Sequence, residues 1–362
     1  MPDAPYALFD AHPALAARLP RTALADLPTP IARLAGLEAE APGAALFIKR
    51  DDLCSPVFGG NKTRKLELIL GALERDGCDR AMTFGFAGSN HAAATALFCR
   101  RVGILCVAML MPQPMSAVER QNLLVAHAAG AELRLYRGFA RLVAGSAAYR
   151  MARPGRGGRL VPMIAAGGSM PEGNAAYVGA AFELRAQIEA GLIPVPDEIH
   201  VAAGSLGTAA GLAVGLAAAG LASRVIATRA VESRFADEAA LARISRKTAL
   251  FLRRIDPSFP RTIEPATRLD GGHFGPGYAV PTPEGEAAAR LLQGAEGILL
   301  DATYTAKAFA RFLDAARDPR SRGRTLLFWH TGNAVDLTAR ASAIDWHDLP
   351  KAFHGLFEAG AK

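Results

Sequence analysis

The run Phe58-Gly59-Gly60-Asn61-Lys62-Thr63-Arg64-Lys65-Leu66-Glu67 puts a lysine where an amine could react. It follows the apolar Leu46-Phe47-Ile48 and precedes Leu66, Ile69, Leu70 and Leu73, which are spaced as one face of a helix. The glycines permit a tight turn, Asn61 is placed to cap the helix, and Lys62 falls in its first turn. There the positive end of the helix dipole and the neighbouring Arg64 and Lys65 disfavour the ammonium form. The free amine is the form that condenses with a carbonyl to give a Schiff base. The same three basic residues could also simply solvate a helix end. A second stretch, Val201-Ala202-Ala203, ends in the turn Gly204-Ser205-Leu206-Gly207-Thr208 and runs at once into an Ala/Leu-rich helix. Small residues let the backbone close around a phosphate, and a helix N-terminus supplies free amides. It is neither a Walker loop, lacking the Gly-Lys pair, nor a full GxGxxG with its later acid, and many α/β turns of this kind bind nothing. Ala87-Gly88-Ser89-Asn90-His91 is a third strand-to-helix turn, in which Ser89 or Asn90 is placed to cap the next helix.

The elements around these turns alternate. Residues 1–44 read as an irregular lead-in. Within it Pro28-Thr29-Pro30-Ile31 opens toward a short helix at Leu34 and Leu37, and Ala41-Pro42-Gly43 closes it. Helices are expected at 61–76, from the 85–90 turn through Arg100, at 117–129 and at 139–151. Strands are expected at 46–52, 80–84, 104–109, 131–136 and 160–164, and the rhythm restarts at 198–202 and runs to 325–329. Strands and helices in this order imply βαβ units and a parallel sheet. No linker and no internal repeat marks a boundary, so a single long doubly wound domain is open on pattern alone.

Composition sets limits. The 362 residues are 51% hydrophobic and 21% charged, enough for two domains with a large core and unlike a disordered chain. Lys plus Arg minus Asp plus Glu is 41 − 34 = +7, and the basic residues are scattered apart from Arg253-Arg254 and Arg320, Arg322 and Arg324. That spread fits attraction of anionic ligands and not a nucleic-acid footprint. Cys54, Cys78, Cys99 and Cys106 show no CxxC pair and no zinc spacing, so reduced thiols and no metal are expected. Asp3 and Asp10 stand where a signal peptide would be basic, and Arg, Gln or Gly interrupts every apolar window. The expectation is a cytoplasmic protein with no membrane partner.

The residues then carry a resemblance. Ile48-Lys49-Arg50-Asp51-Asp52, followed by residues 59–67, resembles the pyridoxal-phosphate (PLP) lysine segment of the 1-aminocyclopropane-1-carboxylate (ACC) deaminase and D-cysteine desulfhydrase family. That family lies in the tryptophan-synthase-β-like, fold type II group of PLP enzymes. A Leu27-Pro28-Thr29-Pro30 segment precedes that strand as in the family, and matches extend from Leu27 to about Gly332. The resemblance implies an α/β fold of two domains and three layers, with parallel-rich sheets flanked by helices. It implies a small domain at 66–170 inserted into a discontinuous PLP-binding domain at 1–65 and 171–362, and a homodimer. Lys62 would hold PLP, with Asn61 beside it. Gly204, Ser205, Leu206, Gly207 and Thr208 would surround the phosphate, and Lys65 could add a cation. Asn90 would contact the ring hydroxyl, Ser89 the substrate carboxylate, and His91 the substrate side. Tyr278 in Phe274-Gly275-Pro276-Gly277-Tyr278 and Tyr304 in Asp301-Ala302-Thr303-Tyr304-Thr305 resemble two tyrosines that reach the substrate. Phe328-Trp329-His330-Thr331-Gly332-Asn333 ends a strand at the site edge. Gly167-Gly168-Ser169 resembles a structural turn. Two departures stand out: Ala92-Ala93-Ala94 replaces the arginine and glutamine common after Ser-Asn-His, and Asn333 replaces a glycine.

The implied reaction is PLP-dependent β-elimination from a small amino acid. Lys62 yields its place to the substrate amine and then takes the α-proton; loss of the β-substituent ends in a keto acid and ammonia. D-Cysteine would give pyruvate, sulfide and ammonia. ACC opening and cysteate desulfonation are close alternatives, and a non-catalytic PLP-binding protein is a remoter one. A nucleotide-dependent oxidoreductase lacks its fingerprint here. ACC deaminases carry a glutamate facing the pyridine nitrogen where this chain has Thr305. A hydroxyl there, from Thr305 or Thr331, makes a weaker electron sink. That favours loss of a good leaving group over cyclopropane opening.

Overall fold

Leu326 and Phe328 face one side of a strand and Leu327 and Trp329 the other, which is the period-2 alternation of a sheet buried on both faces. The computed structural model describes residues 6–41, 43–261 and 263–358; Asp3 and Pro42 lie outside the described residues. The chain divides into two compact units. The first holds the described residues up to Leu19, with Ala25–Lys65 and Ser169–Ala334; the second holds Pro20–Leu24, Leu66–Gly168 and the described residues from Val335 on.

The first unit is built on a six-stranded sheet in the order Ile31–Arg33, Ala45–Arg50, Thr325–His330, Glu198–Ala203, Arg224–Arg229, Thr267–Asp270. Only the first pair is antiparallel. The helices Pro171–Glu189 and Gly207–Ala218 cover the face of Leu327, Trp329, Ile199 and Val201, and Pro283–Glu296 and Thr305–Arg317 cover that of Leu46, Ile48, Leu326 and Phe328. That makes three layers. Parallel strands bring Arg50, Ala203 and His330 to the same edge, where an open α/β sheet offers its loops to a ligand.

The second unit has a four-stranded parallel sheet in the order Glu132–Leu135, Leu105–Met111, Arg80–Phe86, Met163–Ile164. Met82, Val107, Met109, Leu142, Tyr149 and Val161 form its core against the helix Phe139–Ala152.

Element boundaries follow the sequence pattern with local differences. The strand expected at 160–164 is only Met163–Ile164. Pro162 has no amide to give and enters the ladder only by accepting from Met82 N (2.9 Å). The segment after Pro30 forms the strand Ile31–Arg33 before a 3₁₀ turn at Ala35–Glu40, too short a strand to show a period. The strand expected to reach Asp52 stops at Arg50, and Asp51–Leu53 turns into 3₁₀ geometry.

That turn roots a buried polar cluster. Arg64 donates to Asp51 Oδ1 (2.8 Å) and Glu183 Oε2 (2.8 Å), Lys49 Nζ to Glu183 Oε1 (2.5 Å), and Tyr177 and Trp329 each donate to Asp51 Oδ2 at 2.7 Å. Arg64 and Lys49 hold the Glu183 carboxyl down to about 2 against the opposing effect of burial. Breaking one partner of such a cluster leaves an uncompensated buried charge, so the cluster fixes the chain that leads into Lys62.

Candidate active site

The Lys62 turn is clamped on both sides. Gly60 N donates to Asp51 O (2.8 Å), Gly59 N to Asn333 Oδ1 (2.6 Å), and Asn61 N to Thr331 O (3.2 Å). Gly60 has φ +83°, and a Cβ there would stand 2.3 Å from Gly332 O, so only glycine fits. The helix is Asn61–Arg75, which makes Asn61 its first residue and not its cap. Its side chain has another use: Oδ1 accepts from Lys62 Nζ (2.7 Å) and Nδ2 donates to Thr208 Oγ1 (3.0 Å). One amide thus joins the lysine to the Gly204 turn.

The Lys62 amine is lowered from 10.5 to about 8, in the direction expected. The cause differs from the expectation. Burial leads, and the Asp301 carboxylate opposes it; Arg64 is turned into the Asp51–Glu183 cluster instead of toward Lys62. Burial lowers Lys65 well below its usual value, and here the like charge of Lys62 does add to the effect.

The second turn packs directly beside the first. The strand Glu198–Ala203 passes through Gly204 and Ser205 to Leu206, which is left-handed (φ 64°), and the helix Gly207–Ala218 starts there. Ser205 Oγ meets Ser169 Oγ at 2.7 Å; Ser169 Oγ also accepts from Gly207 N (3.2 Å) and from Lys65 Nζ (3.3 Å). The Gly167-Gly168-Ser169 turn, which the sequence marks only as structural, puts Ser169 in contact with three residues expected around the phosphate. Asn174 was missed as well: its Oδ1 is buried without a hydrogen-bond partner and would stand 2.2 Å from a Cβ on Gly207. Only its position four residues past the Met170 N-cap, facing that helix start, could have marked it. Hydroxyls from Ser169, Ser205 and Thr208, a lysine amine and a helix N-terminus make a donor set suited to a phosphate dianion. A reactive amine one residue from Asn61 suits the aldehyde of the same cofactor. These residues fit pyridoxal phosphate.

The tyrosines meet. Tyr304 donates to the Tyr278 hydroxyl (2.9 Å), and a Cβ on Gly204 would stand 3.0 Å from Tyr304 Cε1. Thr305 begins the helix Thr305–Arg317; its hydroxyl accepts from Asp301 N (2.8 Å) and donates to Asp301 Oδ2 (2.5 Å). Asp301 Oδ1 accepts from Tyr304 N (2.7 Å). Asp301 therefore holds the tyrosine turn and supplies the negative charge that Lys62 feels. The signal available for it was the Asp-x-x-x-Thr spacing ahead of a helix. His330, at the strand end, is buried, which lowers its pKa. Its Nε2 donates to Leu299 O (2.9 Å), leaving Nδ1 to accept from Gly332 N (3.3 Å).

Ser89, Asn90 and His91 belong to the second unit. Ser89 caps the helix Asn90–Arg101 by accepting from His91 N (3.2 Å). Asn90 Oδ1 accepts from Asn122 Nδ2 (2.8 Å), and the His91 ring is buried with Nε2 2.9 Å from Thr83 Oγ1.

Residues 22–332 match the family described as pyridoxal-phosphate dependent enzyme, and the chain belongs to that family. Its members bind pyridoxal phosphate, and this chain is a fold type II enzyme of the ACC deaminase and D-cysteine desulfhydrase group. It is 38% identical over 317 residues to nocardicin C-9' epimerase of Nocardia uniformis subsp. tsuyamanensis, covering 87% of this chain and 93% of that one. It is 33% identical over 329 residues to D-cysteine desulfhydrase of Klebsiella pneumoniae (strain 342), covering 89% and 96%. A solved ACC deaminase homologue superposes with a TM-score of 0.77 at 30% identity, covering 94% of this chain and 98% of that one. Among the described residues no helix is long and apolar enough to cross a membrane.

The lowered amine carries a prediction. Protein stripped of cofactor should capture pyridoxal phosphate at a rate that rises with pH and levels off above about 8, because the free amine predominates there. A stopped-flow absorbance series across pH 6 to 10.5 checks this. A rate still climbing near the ordinary lysine value of 10.5 would contradict it.

Proposed function

We propose that this enzyme carries out β-elimination on a small amino acid bearing a good leaving group, in the manner of a D-cysteine desulfhydrase. The bound cofactor supplies an electron sink at the substrate α-carbon. Lys62 is the covalent anchor and, once released, the base that takes the α-proton. Its lowered amine, tied through Asn61 to the phosphate turn, is the observation that carries the proposal. Gly204, Ser205, Leu206, Gly207 and Thr208 hold the phosphate, with Ser169 and Lys65. The Tyr278–Tyr304 pair meets the substrate side chain. For Ser89 and Asn90 the proposal rests on the resemblance of their triplet. At position 305 the chain offers a hydroxyl already committed to Asp301 instead of a carboxylate, which favours loss of a thiolate over ring opening.

A second reading has its own support. The relative at 38% identity is named an epimerase, and epimerisation shares the first step, removal of the α-proton. The two diverge afterwards: the β-substituent leaves, or a proton returns to the other face. D- and L-cysteine, ACC, cysteate, D-serine and diaminopropionate should be offered in D₂O, reading keto acid and α-deuterium together. Keto acid and sulfide from D-cysteine, with little product from ACC, are expected. Deuterium at the α-carbon without keto acid would favour epimerisation. ACC turnover equal to that on D-cysteine would overturn the preference for elimination.

A further inference from the structure

Lys307, Arg311 and Asp314 are four and three residues apart on the helix Thr305–Arg317, so they line one of its faces. That face is bonded to residues 270–277, which lead from the strand Thr267–Asp270 to Tyr278. Lys307 Nζ donates to Phe274 O (2.7 Å) and Gly277 O (3.4 Å) and lies 5.3 Å from the centre of the Phe274 ring. Arg311 Nε donates to Asp270 Oδ2 (2.8 Å), and His273 Nε2 lies 2.9 Å from Asp314 Oδ2. Lys307 is the deepest of the three, with 0% of its surface exposed. A buried lysine aimed at two loop carbonyls is an uncommon use of a charge that is costly to bury. The same helix starts one residue after Tyr304, whose hydroxyl donates to Tyr278. Just past Tyr278 the backbone is strained, with Ala279 in the left-handed region at φ 59°.

We infer that Lys307 is a positioning residue for substrate specificity, latching the 270–277 segment so that the Tyr278 hydroxyl is held against Tyr304. The inference rests on the reading that this tyrosine pair meets the substrate. The helix serves as a template: its first residues fix Tyr304, and its polar face fixes the loop that brings Tyr278. Lys307 bonds two carbonyls within four residues of Tyr278, whereas Arg311 and Asp314 act farther back. Loss of Lys307 should therefore free the tyrosine, and loss of Asp314 should loosen only the start of the segment.

The test uses the holoenzyme with Lys307→Met, which keeps the stem and removes the donors, and with Asp314→Asn. Backbone amide exchange over residues 271–280 should quicken by about tenfold in Lys307→Met, the effect of losing a charged hydrogen bond. Exchange in the helix Gly207–Ala218 and the absorbance of the bound cofactor should not change. KM should rise by about tenfold with kcat within about twofold, the pattern of lost substrate binding in ground and transition state alike. Asp314→Asn should quicken exchange at 271–274 alone and by less. Should Lys307→Met fail to fold, this graded local effect carries the test. Unchanged exchange at 271–280 in both variants, or loosening spread evenly over the first unit, overturns the latch. A loosened segment with unaltered kinetics would support the latch and remove Tyr278 from the substrate, a failure of the proposed function instead.

Discussion

Lys62→Ala is expected to lower turnover by about 10⁴-fold or more, the upper range of what one positioned base supplies, because the covalent anchor is lost with it. The loss should be chemical and not structural. Lys62 Nζ donates to Asn61 Oδ1, and a bond of that kind contributes about 1 kcal/mol to stability. The turn itself is held by Asp51, Asn333 and Thr331, none of which depends on the Lys62 side chain. Thermal unfolding of the cofactor-free variant should thus stay close to that of the cofactor-free parent. Lys62→Arg should be as inactive, since a guanidinium keeps its proton and condenses with no aldehyde at neutral pH. In the parent, borohydride reduction and peptide mapping should place the pyridoxyl adduct on Lys62. Lys65 and Lys307 are the competing amines, both lowered by burial, and an adduct on either would overturn the assignment.

Much of the succession of strands and helices along the chain was legible because period and turn residues agree, whereas the order of strands within the two sheets was not. Val201 and Ala203 alternate with His200 and Ala202, and the Gly204 turn ends the strand at the residue expected. The Lys62 turn was legible as a turn because two adjacent glycines are unfavourable inside a helix or strand and admit the positive φ that Gly60 adopts. What the sequence hid were facts of side-chain direction. Arg64 and Lys65 are neighbours in the chain, yet Arg64 turns to Asp51 and Glu183 while Lys65 meets Ser169. Adjacency in the chain therefore implies a cationic cluster around Lys62 that the fold does not form, and burial leads the lowering of its amine. Asn61 was misread as a cap for the same reason: a short polar side chain can bond its own helix or a distant partner, and Thr208, 147 residues on, is the partner here. Asn333, a departure from the expected glycine, has a use no pattern could announce, accepting from Gly59 N.

Gly207→Asp is expected to weaken cofactor binding by about 10²–10³-fold, the second large effect. Steric and electrostatic contributions can be separated. A Cβ on Gly207 would stand 2.2 Å from Asn174 Oδ1 and 2.3 Å from Ser169 Oγ, closer than any real contact of that atom. Ser169 must then move, and with it the bonds to Lys65, Ser205 and Gly207 N. Overpacking of this kind costs about 1–3 kcal/mol. Gly207→Ala carries that share alone and should weaken binding by about tenfold. The aspartate adds a carboxylate beside the phosphate; at about 5 Å and an effective dielectric near 20, one unit-charge pair costs about 3 kcal/mol, a further ~10²-fold at low salt that brings the total to the upper end of the expected range. The difference between the two variants should therefore shrink as salt is raised, while the alanine effect should not. Equilibrium titration of cofactor-free protein, followed by absorbance at two ionic strengths, measures both. Full retention of cofactor by Gly207→Asp at micromolar concentration would place the phosphate at another turn and leave Ser169 and Lys65 as a structural cluster.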